Sequence, residues 1–160
     1  MTRLVPPVPG PDNGYLAEHI GLLRQSLRRL TGRDLIDAEV SAEEAARRIY
    51  LAPFVVLSHD TQADPILTYA NRCALELFEL DWEELVRMPS RLTAEAPNRD
   101  ERARLLAEVA ARGFIDDYAG VRVSSTGRRF RIEAATVWNL VDVGGLNQGQ
   151  AATFATWRML

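Results

Sequence analysis

The sequence contains no lysine, and all 19 of its cationic residues are arginine. This absence excludes Schiff-base catalysis and the phosphate-binding loops that depend on a lysine ammonium group. The net charge is −3, so the chain has no positive field that would attract a polyanion. Nucleic acid is therefore not a predicted partner.

Cysteine and histidine are almost as scarce. Cys73 is the single cysteine, which excludes an internal disulfide and is compatible with a reducing compartment. His19 and His59 are the two histidines, and together with one thiol they match no metal-ligand spacing. No nucleophile elbow, carboxylate pair or phosphate-binding glycine loop is present. The sequence therefore predicts no metal site and no catalytic residue.

Long hydrophobic runs are also missing, so no membrane partner is predicted. The first 14 residues contain four prolines and no apolar signal-peptide core. We therefore predict a disordered segment at residues 1–14 and a cytoplasmic protein. The 160 residues, 47% of them hydrophobic, suit one domain with a terminal extension.

The clearest long strand in the sequence lies within residues 127–142, GRRFRIEAATVWNLVD. Strict alternation over such a stretch places one face on a core and the other on water. The second face becomes apolar at Ala135 and Val137, so we expect another element to cover that half. Alternation assigns one set to the inner face: Phe130, Ile132, Ala134, Thr136 and Trp138.

A helix is predicted from Tyr15 to Leu30, followed by a linker to residue 40. Its leucine seam is too short for an independent coiled coil, so it must pack on another surface. That surface is either the outer face of the chain's own sheet or the same helix of a second subunit. We expect packing that also joins two subunits into a homodimer. The seam consists of Leu16, Ile20, Leu23, Leu27 and Leu30.

Capping residues mark further helix starts, and apolar runs mark the strands. The predicted caps are Ser41 with Glu44, Asn71, Asp81 with Glu84, and Asn98 with Glu101. Strands are predicted near residues 54–57, 66–70, 114–124, 128–141 and 150–159. The resulting order places all the internal helices between the second and third strands.

This order of elements is the plan of the PAS fold, and local sequences make the resemblance narrower. PILTYANRCALELF, GFIDDYAGVRVSSTGRRFRIEAATVWNLVD and GQAATF are similar to the MEKHLA domain. This PAS-related module occurs in plant class III homeodomain–leucine zipper proteins and, as here expected, in free-standing bacterial proteins. The resemblance implies an α+β domain at residues 41–160. Its antiparallel sheet would have five strands in the order 2-1-5-4-3, with helices on one face and an N-terminal helical extension.

The resemblance also bears on cofactors. Cys73 lies in NRCALELF, directly after the second strand, and not in the helical sequence whose cysteine bonds flavin in light-sensing PAS relatives. Neither histidine lies in the helices from which PAS domains ligate haem. We therefore predict no cofactor and a packed, unreactive thiol.

A cavity between the sheet and the helices is the remaining candidate site. Small residues at positions 134 and 136 would leave space, and a mostly apolar cavity is typical of small-ligand sites. A filled core without a ligand is the alternative. Thr136, Tyr118, Asn139 and Gln150 are candidate polar anchors. The predicted ligand-binding residues are Phe54, Tyr69, Leu75, Phe78, Tyr118, Ile132, Ala134, Thr136 and Trp138.

These patterns predict a non-catalytic sensory or interaction module that binds a small apolar ligand and signals through dimerisation. The first alternative is a small-molecule enzyme that uses the same cavity. Such an enzyme would need a buried acid or tyrosine with a shifted pKa, taken from Asp116, Asp117, Glu133 or Tyr118. The second alternative is a purely structural dimerisation domain.

Overall fold

One antiparallel sheet organises the part of the chain that the computed structural model describes, residues 4–160. Five strands follow the order β2-β1-β5-β4-β3, and a short sixth strand pairs with β4. This arrangement confirms the predicted α+β class and strand order. The strands are β1 (Val55–His59), β2 (Leu67–Ala70), β3 (Phe114–Val123), β4 (Arg129–Val141), β5 (Asn147–Phe154) and β6 (Thr156–Met159).

Helices cover both faces of this sheet. Three lie between β2 and β3, as predicted, and two precede β1. Of the segment for which we predicted disorder, residues 1–3 lie outside the described residues, and Pro11–Leu16 form a 3-10 helix. A second 3-10 helix spans Ser90–Thr93. The α-helices are α1 (Ala17–Thr31), α2 (Ala42–Tyr50), α3 (Arg72–Phe78), α4 (Trp82–Leu85) and α5 (Ala96–Arg112).

Most of the helix boundaries follow from their predicted caps. Ser41, Asn71 and Asp81 each accept a hydrogen bond from the backbone N–H three residues later. The predicted start of α5 at Asn98 is wrong, because the helix begins at Ala96. Pro97 lies in its first turn, where a fixed φ and a missing N–H cost nothing.

The last predicted strand is divided in two at Ala155. β5 pairs with β1 and with residues 136–141 of β4, whereas β6 pairs with residues 130–133 of β4. On the edge that faces away from β3, β4 therefore pairs with β6 up to Glu133 and with β5 from Thr136 onwards. The change coincides with an extra residue in β4. Between the pairs Gly120–Ile132 and Tyr118–Ala135, β3 has one residue and β4 has two.

This β-bulge corrects the predicted faces of β4. Ala134 takes the left-handed conformation, with φ of 52°, and every residue after it points to the face opposite to the one that alternation predicts. Ala135 and Val137 consequently join Ile132 on the inner face, which α3 and α5 cover. Thr136 and Trp138, predicted to face inward, point outward, and Ala134 itself is exposed.

Helix α1 packs on the outer face of the same chain's sheet. The middle of its predicted seam is buried there, with Ile20, Leu23 and Leu27 at 3% exposure or less. The Trp138 indole N–H donates to the carbonyl oxygen of Leu23 (3.1 Å), and Ser26 exchanges hydrogen bonds with the backbone of Val141. The seam is therefore covered within one subunit. Among residues 4–160, no helix is both long and apolar enough to cross a membrane.

Candidate functional site

A small cavity lies between α5 and the inner face of the sheet. Its volume is about 60 Å³. This is room for a few water-sized groups, well below the roughly 300–1,000 Å³ of sites for drug-sized ligands. Its walls include apolar side chains from α3, α5 and the sheet: Leu57, Leu67, Phe78, Leu105, Leu106, Ile132, Val137, Ala152 and Phe154. They also include seven polar residues: Ser58, His59, Thr93, Arg102, Tyr118, Arg122 and Gln150.

Arg122 is the most buried charged group of the cavity, with 6% of its surface exposed. Alternation along β3 turns it inward together with Tyr118, whose hydroxyl accepts a hydrogen bond from Nη2 (3.1 Å). Nη1 donates to the carbonyl oxygen of Val121 (2.8 Å). The Tyr118 hydroxyl in turn donates to the carboxylate of Glu101 on α5 (2.9 and 3.0 Å). Burial raises the pKa of Tyr118, so its hydroxyl stays protonated and can make this bond.

Arg102 brings a second guanidinium to the cavity from α5. Burial, with a smaller contribution from the charge of Arg122, lowers its pKa to about 10. Within residues 4–160, Arg102 forms no ion pair with a carboxylate, although ten other ion pairs are present there. It remains charged at neutral pH.

His59 lies at the end of β1, where the cavity meets the loop to β2. Its Nδ1 lies 2.9 Å from the carbonyl oxygen of Asp60 and donates to it, which leaves Nε2 as the unprotonated nitrogen of the neutral ring. Nε2 is buried and has no hydrogen-bond partner in the described part of the chain. Burial lowers the pKa of His59, as does the charge of Arg102, while Asp60 and the nearby Gln150 side chain oppose both. The Gln150 amide nitrogen is committed to Leu106 and Asn139 and does not meet the geometry of a hydrogen bond to Nε2.

Gln150 lines the remaining side of the cavity, and Asn139 lies beside it on the inner face. The Gln150 amide donates to the carbonyl oxygen of Leu106 and to the side-chain oxygen of Asn139 (both 3.1 Å). Asn139 donates to the carbonyl oxygen of Val109 (3.1 Å). The bulge at Ala134 is what turns Asn139 inward. These amides tie α5 to β4 and β5 across the cavity.

The structure brings three of the predicted ligand-binding residues onto the cavity: Phe78, Tyr118 and Ile132. The other six lie elsewhere. Phe54, Ala134 and Thr136 line an open groove on the outer side of the sheet. Trp138 packs under α1, the Tyr69 ring contacts His19 and Trp82, and Leu75 is half-buried away from the cavity. That any of these nine residues binds a ligand stays a prediction.

Sequence reasoning missed Arg102, Arg122 and His59 as cavity residues. The spacing did contain a signal. Arg102 falls three and four residues before Leu105 and Leu106, on the predicted apolar stripe of α5. Arg122 lies an even number of residues from Tyr118 along β3, hence on the same face. A charged residue on a face that is predicted to be buried is a candidate for a functional role inside the protein.

The acids that the enzyme alternative requires do not reach the cavity. Asp116 and Asp117 are exposed, and Asp116 points outward to accept hydrogen bonds from Thr136 and Arg33 (both 2.7 Å), which lower its pKa. Glu133 is half-exposed and lies near Arg131. Across residues 4–160, no three His, Cys, Asp or Glu side chains are grouped to hold a metal ion. Burial raises the pKa of the half-buried Cys73 thiol.

Solved structures place this arrangement in a known class, the PAS-like domains. A PAS domain from Colwellia psychrerythraea superposes with a TM-score of 0.60 at 13% identity, over 74% of this chain and 95% of that one. A fungal LOV domain photoreceptor superposes with a TM-score of 0.58 at 18% identity, over 93% and 98%. At these identities the likeness shows the fold alone.

The sequence identifies the family within that class. The MEKHLA domain matches residues 17–159, and the chain belongs to this family. The homeobox-leucine zipper protein ATHB-14 of Arabidopsis thaliana is 26% identical over 96% of this chain and 18% of its own length. HOX29 of Oryza sativa subsp. japonica is 30% identical over 90% and 18%. The chain thus spans about a fifth of the length of these curated relatives.

Proposed function

We propose that this domain is a non-catalytic sensory module that holds a small molecule in the cavity between α5 and the sheet. The observation that carries the proposal is the cavity itself, which is walled mainly by apolar side chains but contains one buried polar atom without a hydrogen-bond partner. His59 Nε2 is buried there without a partner, and such atoms are rare in folded proteins unless a water or a ligand satisfies them. The predicted ligand therefore has a polar group as well as an apolar part.

The ligand of one solved neighbour is small enough to agree with this volume. One of the solved neighbours is the PAS domain of a LuxR-family transcriptional regulator from Burkholderia thailandensis in complex with ethanol. It superposes with a TM-score of 0.52 at 17% identity over 67% of this chain and 92% of that one. The comparison supports a ligand of a few non-hydrogen atoms for the present cavity of about 60 Å³.

Strand β4 is the element through which a ligand bound in the cavity would affect the rest of the molecule. Val137 lines the cavity on the inner face, and the next residue, Trp138, holds the Leu23 carbonyl of α1 on the outer face. Neighbouring residues of one strand cannot move independently. We therefore propose that a ligand which displaces Val137 changes the docking of α1, and that α1 is the output element.

The predicted homodimer would require a second surface. Since the seam of α1 is covered by its own sheet, two subunits could pair only through the outward side of this helix or another face. The homodimer, the cytoplasmic location and the free-standing bacterial type stay predictions.

A thermal-shift screen with a paired substitution tests ligand binding. We expect at least one compound of a panel of small alcohols, amides, amines and carboxylates to raise Tm by about 2 °C or more, because a ligand that binds only the folded state stabilises it. Ala152→Leu fills the cavity and should abolish the shift. The matched control, Ala155→Leu, changes an exposed position between β5 and β6 and should retain it.

Hydrogen exchange with the same compound tests the route. We expect bound ligand to change amide protection in α1 as well as in α5. If no compound in the panel shifts Tm, or if Ala152→Leu responds like the wild type, the sensory proposal is wrong. If ligand protects α5 and leaves α1 unchanged, binding stands and the proposed output through β4 does not.

A further inference from the structure

We infer that the ligand of this cavity is a small uncharged alcohol whose hydroxyl group donates a hydrogen bond to Nε2 of His59. The inference rests on the proposed sensory function and specifies its ligand class. It adds one polar group to the small apolar ligand that the sequence predicts.

The unpaired nitrogen of His59 defines what the ligand must carry. Nδ1 donates to the carbonyl oxygen of Asp60 (2.9 Å), so Nε2 of the neutral ring is an acceptor and needs a donor. Among the residues that line the cavity, its side chain is the one with a buried polar atom that has no partner in the described part of the chain. Such an acceptor has lost its hydrogen bond to water without a replacement.

The neighbouring side chain of Gln150 does not supply this donor. Its amide nitrogen donates to the carbonyl oxygen of Leu106 and to the side-chain oxygen of Asn139 (both 3.1 Å), which accounts for both of its N–H groups. The oxygen of the same amide is an acceptor, like Nε2 itself. A molecule in the cavity is therefore the source of the missing donor.

Charged groups of both signs lie around the cavity, so the ligand need not bring a charge. Arg102 and Arg122 line it, and a tyrosine hydroxyl links Arg122 to the carboxylate of Glu101. The carboxylate of Asp60 lies beside His59 and favours its protonated form, but burial and the charge of Arg102 favour the neutral ring. A protonated amine would be a donor for Nε2, but it would face the two guanidinium groups.

A hydroxyl group matches a single unpaired acceptor better than an amide does. An alcohol has one O–H group, whereas a primary amide has two N–H groups, and the second would be buried without a partner. The hydroxyl oxygen would accept a hydrogen bond from the guanidinium group of Arg102. The apolar walls, with Phe78, Leu105 and Ile132, would hold the alkyl part, and the volume of about 60 Å³ limits it to a few carbon atoms.

Four molecules of nearly the same shape test the hydroxyl group: 2-propanol, acetone, acetamide and isopropylammonium. Titration of the full chain, labelled with ¹⁵N and followed by NMR, gives a Kd for each. We expect 2-propanol to bind at least about fivefold more tightly than acetone, because acetone has no donor for Nε2. Acetamide should bind more weakly than 2-propanol because of its second N–H group, and isopropylammonium because of its charge.

The ¹⁵N resonance of Nε2 locates the hydrogen bond in the unaltered chain. An unprotonated imidazole nitrogen moves upfield when it accepts a hydrogen bond. We therefore expect this resonance of His59 to lie further upfield with saturating 2-propanol than with saturating acetone. Nε2 of His19, which lies beside Ser58 on the α1 side, is the internal control and should have the same resonance with both.

Histidine variants give a second test. His59→Phe keeps a ring and removes the acceptor, so 2-propanol and acetone should bind it about equally well. The matched control, His19→Phe, should keep the preference for 2-propanol. Both variants are compared after their Tm and circular dichroism spectra show folded proteins, and the resonance of the unaltered chain decides the question if His59→Phe does not fold.

The outcomes separate this inference from the function on which it rests. If acetone, acetamide or isopropylammonium binds as tightly as 2-propanol, the cavity is a ligand site and the hydroxyl assignment is wrong. A preference for 2-propanol that survives His59→Phe, or that leaves the Nε2 resonance the same as with acetone, places the alcohol elsewhere and also overturns the inference. If none of the four binds but another compound of the thermal-shift panel does, this inference fails and the sensory function stands. If nothing binds, both fail.

Discussion

At the scale of single residues, Asn71 does more than the helix cap that its position predicts. It is fully buried, and its side-chain oxygen accepts hydrogen bonds from the N–H groups of Ala74 and Val56 (both 3.1 Å). Its amide nitrogen donates to the carbonyl oxygens of Ile49 (3.0 Å) and Phe54 (2.7 Å). One side chain thus joins the end of α2, the start of β1 and the start of α3.

Asn71→Asp tests this junction with a nearly isosteric change. The carboxylate keeps the acceptor side but faces the two carbonyl oxygens with no donor, so we expect a loss of about 3 kcal/mol or more in the free energy of unfolding at neutral pH. Chemical denaturation measures it. Asn98→Asp, in the first turns of α5, is the matched control and should change stability by less than about 0.5 kcal/mol. Similar small losses at both positions would contradict the role of Asn71.

The backbone conformation of Ala134 determines which side chains of β4 point to each face of the sheet. A left-handed conformation costs an L-residue roughly 1–2 kcal/mol, and glycine takes it freely. Since the side chain of Ala134 is exposed, removal of its methyl group loses few packing contacts.

We therefore expect Ala134→Gly to stabilise the protein by about 0.5–1 kcal/mol, after the greater entropy of glycine in the unfolded chain is subtracted. Ala107→Gly, at an exposed position inside α5, should destabilise it by about 1 kcal/mol. Thermal or urea unfolding of both variants measures the difference. Equal losses at both positions would show that β4 does not hold residue 134 in the left-handed conformation.

At the scale of elements, α1 is attached to the sheet by apolar contacts and a few polar ones. His19 is one of the polar contacts. Its Nε2 lies 2.9 Å from the Ser58 hydroxyl of β1, and its ring packs beside Tyr69. Burial lowers the pKa of His19 to about 4. Protonation of this ring therefore destabilises the docked helix.

The stability of the domain should fall as the pH drops from about 6.5 towards 4. The unfolded state binds a proton at His19 with the ordinary pKa near 6.5, whereas the folded state resists it. We expect His19 to contribute roughly 1–2 kcal/mol of this loss between pH 7 and pH 5. His59, whose pKa is also lowered, adds to it in the same direction.

Urea unfolding of the wild type and of His19→Gln at both pH values measures the contribution. The variant should show a smaller difference between pH 7 and pH 5, and His59→Gln provides the comparison for the second ring. An identical pH dependence in wild type and His19→Gln would show that α1 does not exclude the proton.

At the scale of the whole molecule, one sheet separates two differently built layers. The α5 side contains a cavity with two guanidinium groups, and the α1 side contains a filled core beneath the seam of the helix. β4 is common to both layers. In the plant relatives the matching region is about a fifth of a much longer chain.

Packing of α1 within one subunit makes a prediction about the intact protein. Leu23→Ala should lower the free energy of unfolding by about 3 kcal/mol, because it opens a hole in a fully buried seam. The dependence of Tm on protein concentration over a hundredfold range then tests the assembly, because a folding unit of one chain gives a constant Tm. Leu92→Ala, at a largely exposed site, is the control. A Tm that rises with concentration would support the predicted homodimer.

The elements, most of the caps and the order of the elements along the chain follow from patterns in the sequence, whereas the order of the strands within the sheet was expected from the resemblance to the MEKHLA domain. Those properties depend on local chemistry: period-two alternation, a side-chain oxygen that satisfies free N–H groups, and the placement of helices between β2 and β3. Because they are local, the similarity to the MEKHLA domain could be seen in short stretches of sequence such as PILTYANRCALELF.

Which side chains meet in the cavity depends on contacts between segments that are distant in the sequence. The bulge at Ala134 coincides with the change of β4 from β6 to β5 as its partner, and both partners come from residues far along the chain. A shift of one residue moves every later side chain to the other face. It turned Thr136 and Trp138 away from the inner face and Val137 and Asn139 towards it. The packing of α5 then placed Arg102 and Arg122 on the same cavity. The spacing within each segment indicates that its arginine faces inward, but not that the two segments meet.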